Sequence, residues 1–107
     1  MGFLDLTTDT RGVATLTLSR PEVHNAFNDR VIAELTATFE KLAADAAVRV
    51  LVLTGAGASF SAGGDLDWMR SMTRYTEDEN RRDALALARM LDALDRFPKP
   101  TVARVNG

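Results

Sequence analysis

The stretch Val50-Leu51-Val52-Leu53-Thr54-Gly55-Ala56-Gly57-Ala58-Ser59-Phe60-Ser61-Ala62-Gly63-Gly64-Asp65 decides the fold. Its first part, Arg49–Thr54, holds a short, continuous, partly β-branched run. Such a run suits a strand covered on both faces, as in a parallel sheet. Gly55–Gly64 reads as a loop of glycine, alanine and serine, and Asp65–Met72 as a short helix. The Gly63-Gly64 pair allows a sharp turn and the close approach of a ligand. With a helix starting near Asp65, the N–H groups at Gly64 and just after it lack intrahelical partners. The positive end of the helix dipole stands behind them. That combination suits a developing oxyanion. A glycine turn that merely starts a helix is written with the same letters.

Upstream, Gly12–Ser19 alternates Ala14, Leu16 and Leu18 with Thr15 and Thr17, the period of a half-buried strand. Phe3–Thr8 alternates more weakly and pairs with it as a hairpin through Asp9-Thr10-Arg11-Gly12. Pro21 breaks the pattern over Ser19–Asn28. Asp29–Ala46 then reads as a helix with Val31, Ile32, Leu35, Phe39, Leu42 and Ala43 on one side and Asn28 or Asp29 as its cap.

Downstream, Thr76 and Glu79 have the spacing of a capping box. The helix that follows should bury Ala84, Leu87, Ala88, Leu91 and Leu94, and Pro98 and Pro100 end it. Thr101–Val105 reads as a strand of the kind covered on both sides. Asn106-Gly107 is a turn signal with nothing behind it, so the chain reads as interrupted. The order β-β-α-β-α-α-β predicts an α/β fold with a parallel sheet.

Composition removes several functional classes. The 107 residues suit one small domain. A net charge of −2 gives no basic footprint for nucleic acid. The absence of cysteine excludes thiolate metal sites, disulfides and a Cys nucleophile. A single histidine excludes His-rich zinc sites, so no metal is expected. No apolar run reaches the ~18 residues of a membrane span. Asp5 and Asp9, without an early Lys or Arg, do not fit a secretory signal, so a soluble cytoplasmic protein is expected. The loop fails three phosphate or nucleophile patterns. Phe60 stands where a dinucleotide loop needs its third glycine, no Gly-Lys-Ser/Thr follows, and Ser61 stands in the last glycine position of a nucleophile elbow.

Four segments in order resemble the crotonase superfamily of enoyl-CoA hydratases and isomerases. Arg20-Pro21-Glu22-Val23-His24-Asn25-Ala26-Phe27 is similar to its Arg-Pro-x-x-x-Asn-Ala segment along the coenzyme A site. Val50–Gly55 followed by Phe60-Ser61 resembles the strand leading to its oxyanion loop, and Ser61-Ala62-Gly63-Gly64-Asp65-Leu66 resembles that loop. Lys99–Gly107 resembles its Lys-Pro…Val-Asn-Gly stretch. The resemblance implies a crotonase-like ββα spiral core, of which residues 1–107 are the N-terminal part only. It implies addition of water to, or isomerisation of, an α,β-unsaturated acyl-CoA.

Gly64 takes the place of the family's first oxyanion-hole N–H donor. Val23, His24, Ala26 and Ala62 take coenzyme-facing places, with Gly63, Asp65, Leu66 and Trp68 completing the acyl-CoA set. The letters Asp65-Leu66-Asp67-Trp68-Met69 resemble the variant found in hydratases for methylglutaconyl-type thioesters. The resemblance implies no metal or redox cofactor, coenzyme A arriving with the substrate. It implies a homo-oligomer, a trimer or a hexamer.

The family's second donor and catalytic glutamates follow its Asn-Gly turn. Glu22, Glu34, Glu40, Glu77 and Glu79 match none of those positions, so residues 1–107 alone are expected to be inactive. Two alternatives stay open: other thioester chemistry, such as that of a decarboxylase, dehalogenase or thioesterase, and a non-catalytic, self-associating fragment. Asp65 and Asp67 also suit a plain helix first turn. Trp68, Met69 and Met72 suit core or pocket wall. Arg81, Arg82, Arg89 and Arg96 suit a solvated helix face.

Overall fold

The structure, a computed structural model, describes residues 2–107. Strands β1 (Leu4–Thr8) and β2 (Val13–Leu18) form the expected antiparallel hairpin. Asp9 builds the turn, its Oδ1 accepting the N–H groups of Arg11 at 2.8 Å and Val13 at 3.1 Å. Gly12 is required there twice over. Its φ is +86°, and a Cβ would lie 2.7 Å from the Ala47 carbonyl oxygen.

Helix α1 (Asp29–Ala44) starts at Asn28, whose side chain accepts the Val31 N–H at 2.9 Å. Val31, Ile32, Leu35, Phe39 and Leu42 are buried, as their spacing predicts. The helix ends two residues before the expected Ala46. Asp45 is already extended, and Lys99 Nζ takes up the Leu42 carbonyl at 2.8 Å. A cation from a distant segment thus satisfies an end carbonyl that another helical turn would otherwise bond.

Strand β3 (Val50–Gly55) pairs parallel with β2, and β4 (Thr101–Arg104) pairs parallel with β3. The sheet order is β1-β2-β3-β4. Helices α2 (Leu66–Met72) and α3 (Glu77–Asp95) fill the β3–β4 connection. Thr76 and Glu79 make the full capping box at the start of α3. Leu4, Ala14, Leu16, Leu18 and Leu51 on one sheet face pack with α1, Met90 and Phe97 into one core.

Two expectations need correction. Helix α3 is rotated from its expected face. Met90 is its buried residue, with Leu87, Ala93 and Leu94 beside the core, whereas Ala84, Ala88 and Leu91 are exposed. Two apolar stripes run along this helix, and the stripe centred on Met90 is the one that reaches α1. The strands expected to be covered on both faces are not: β3 is only partly covered and β4 is open on both faces. Val50 and Val52 of β3 are half-buried, and every residue of β4 is exposed. Among the described residues neither face of β4 is covered. The arginines behave as expected of a solvated face: Arg81 and Arg96 pair within α3, and Arg89 reaches Glu40 at 3.8 Å.

Candidate active site

Residues 19–28 and 55–65 are far apart in the chain and fastened together in space. A single 3-10 turn, Pro21–Val23, is followed by two consecutive left-handed residues, His24 at φ 53° and Asn25 at φ 55°. Asn25 is buried, and its side chain is fully used. Its Oδ1 accepts the Arg20 N–H at 2.7 Å, and its Nδ2 donates to the carbonyls of Ala56 at 2.9 Å and Ser59 at 2.8 Å. Ser61 Oγ donates to the Asn25 carbonyl at 3.0 Å. His24 Nδ1 lies 3.2 Å from Ser59 Oγ, and the His24 carbonyl accepts the Ala62 N–H.

These contacts bring Phe27 alongside Gly64 as a one-residue parallel bridge. Phe27 N–H donates to the Gly63 carbonyl at 2.6 Å, and Asp65 N–H donates to the Phe27 carbonyl at 2.7 Å. Gly64 sits between the two bonds, so its own N–H points the other way. Among the described residues that N–H has no hydrogen-bond partner. Gly63 has a φ of +87°, which glycine adopts without strain.

Asp65 closes the turn and starts α2. Its Oδ1 accepts the Trp68 N–H at 3.0 Å, the cap expected of an acid in this place. Its Oδ2 pairs with Arg20 Nη2 at 3.1 Å, with side chains only 11% and 13% exposed. The Trp68 N–H, and then the Arg20 guanidinium, hold the Asp65 carboxyl below its ordinary range against the opposing effect of burial. Asp65 is therefore a structural carboxylate rather than a proton donor at neutral pH. Arg20 also donates to the Ala26 carbonyl at 2.8 Å and lies 4.8 Å from the centre of the Phe3 ring.

The product of this bracing is a cavity of about 630 Å³. Val23, His24 and Ala26 line one side; Ala62, Gly64, Asp65 and Leu66 line the other. Seven of the nine residues expected at the acyl-CoA site thus surround one space. Gly63 and Trp68 do not line it. Gly63 supplies the carbonyl that holds Phe27, and Trp68 faces a second cleft, where its Nε1 donates to Asp83 Oδ2 at 3.2 Å. Sequence reasoning gave Met69 only a core or pocket-wall role and gave none to Asp67 or Arg70, which line the cavity with it, nor any individual role to Arg20 and Asn25, which shape it. Only the Pro21 loop signalled the last two, because their partners lie 31 to 45 residues away. Among the described residues no three His, Cys, Asp or Glu side chains gather as a metal site, and no helix is long and apolar enough to cross a membrane.

A family model described as enoyl-CoA hydratase/isomerase matches residues 8–107. A Thermus thermophilus protein whose name places it among enoyl-CoA hydratases is 41% identical over 95 residues, covering 89% of this chain and 38% of its own length. The 4-chlorobenzoyl coenzyme A dehalogenase-1 of an Arthrobacter species is 37% identical, over 92% of this chain and 36% of its own length. The crystal structure of an enoyl-CoA hydratase from Shewanella pealeana superposes with a TM-score of 0.95 at 39% identity, over 98% of this chain and 39% of that one. The chain therefore spans less than two-fifths of the length of each of these three proteins.

Proposed function

This chain belongs to the enoyl-CoA hydratase/isomerase family, and from that membership we propose that it is the thioester-holding part of an acyl-CoA enzyme. One observation carries the proposal. The Gly64 N–H, unpartnered and fixed by bonds on both flanks, borders the cavity at the start of α2. A thioester carbonyl accepting that N–H gains charge when water adds to its conjugated acyl group or a proton leaves it. Removing one donor from comparable oxyanion holes costs about 3–4 kcal/mol in the transition state. Val23, His24, Ala26 and Ala62 would face the coenzyme, and Asp65 would hold the donor in place through Arg20.

Hydration or isomerisation of an α,β-unsaturated acyl group is the reaction proposed. None of the chain's glutamates lines the cavity, and Asp65 is committed to its cap and ion pair. Proton transfer and the second donor are accordingly assigned to the remainder of the family's length, with the working enzyme a soluble, cytoplasmic homo-oligomer free of metal or redox cofactor. The dehalogenase relative favours a second reading, other chemistry on the same thioester.

Calorimetric titration tests the thioester site. Butyryl-CoA should saturate the chain, and Gly64→Pro, which removes the N–H, should weaken it at least about tenfold. Gly64→Ala keeps the donor and should bind as wild type. Absence of saturable binding, or equal affinities in all three proteins, overturns the site. Among crotonyl-CoA and halobenzoyl-CoA, the thioester turned over by a form spanning the family's full length separates the two readings.

A further inference from the structure

Two cavities meet at one side chain. The cavity beside Gly64 and a cleft of about 490 Å³ between α2 and α3 share Met69 as their common lining residue. The cleft is apolar where Trp68, Met72, Ala84 and Leu87 wall it. Met69 also lies against Gly64, since a Cβ built there would be 3.3 Å from Met69 Sδ. A packing role does not account for this placement. Met69 is 41% exposed, and α2 contains no buried residue.

The rest of the partition is fixed. Trp68 is tied through its backbone N–H to Asp65 and through its indole N–H to Asp83. Met69 is tied only by its backbone, its N–H donating to the Asp65 carbonyl at 2.9 Å, and its unbranched thioether side chain is readily moved or reshaped. We infer that Met69 is the residue that limits acyl-chain length, by closing the passage from the Gly64 donor to the α2–α3 cleft. The inference rests on the thioester site proposed above. A thioester whose carbonyl meets the Gly64 N–H sends its acyl chain toward Met69. A short chain ends before the side chain, and a longer one must displace it to reach the cleft.

The test compares butyryl-CoA with octanoyl-CoA on the wild-type chain, Met69→Ala and Met69→Phe. Titration calorimetry gives the affinities, and Trp68, the only tryptophan, reports occupancy of the cleft by its emission. Each fully buried methylene is worth about fourfold in affinity, so half-burying four more is worth on the order of tenfold. Met69→Ala should therefore raise the octanoyl-to-butyryl affinity ratio by about tenfold, with an octanoyl-dependent blue shift of Trp68. Met69→Phe should lower the ratio while butyryl-CoA still binds. If butyryl-CoA binds and the ratio stays within about twofold in the folded variants, Met69 is not the partition and the thioester site stands. If butyryl-CoA does not bind the wild type at all, the thioester site fails and this inference fails with it.

Discussion

Between Arg20 and Asp65 the chain is held by buried hydrogen bonds and an ion pair, whereas from Ala84 to Val105 it is held along one side only. In the first region Asn25, Ser61, Arg20 and Asp65 have partners across the two loops. In the second, Met90 is buried while Leu91, its neighbour, is 53% exposed, and Val102 and Val105 are open. The difference teaches which features depend on their own segment. The cavity wall is specified by directional bonds that only one arrangement satisfies. The outer faces of α3 and β4 are apolar but undirected, and need a covering surface to acquire a role.

Asp65→Ala should give the largest loss. It leaves the nearly buried Arg20 without its anion and removes the α2 cap, so a drop of about 3–4 kcal/mol is expected in urea unfolding. The same carboxyl sets an acid limb. Its folded pKa lies below the ordinary 3.8, so its contribution is fully present above that value and is lost as pH falls toward the folded value. The slope of stability against pH below 3.8 should be shallower in Asp65→Asn. Asp9 and Glu79 are lowered as well, by backbone N–H groups of their own turn and cap, so some slope should persist.

Asn25→Ala comes next, at about 3 kcal/mol. It strands the Arg20 N–H and two carbonyls and puts alanine at a left-handed φ. Asn25→Gly should recover about 1 kcal/mol of that by relieving the backbone alone. On α3, Met90→Ala should cost about 2–3 kcal/mol and Leu91→Ala less than about 0.5. Equal losses at the two positions would break the one-sided description of this helix. Smallest is the glycine pair. Gly63→Ala should cost about 1 kcal/mol for its φ of +87°, and Gly64→Ala about nothing, because its new methyl meets only the movable end of Met69.

Local letters made much of this legible. Alternation in Gly12–Ser19, the run in Arg49–Thr54, the Asn28 cap and the Thr76 box all became the elements they signalled. The short Asp65-started helix after a double glycine also stood where it was read, and the cavity formed around most of the residues expected there. The face of α3 was not legible. Leu87, Met90 and Leu94 compete with Ala84, Ala88 and Leu91, and a 3.6-residue period accepts either stripe. The Asn25 and Arg20 bracing was hidden for another reason, since nothing near them in sequence names their partners.

The sequence by itself therefore determined the order of elements, the hairpin turn, the helix starts and the glycines at the cavity, because each rests on interactions within a few residues. Tertiary structure alone decided which side of α3 meets α1, where α1 stops, and that Phe27 lies beside Gly64. Those outcomes rest on contacts between segments tens of residues apart. They follow from which of several acceptable pairings buries the most apolar surface and leaves the fewest buried polar groups unpaired.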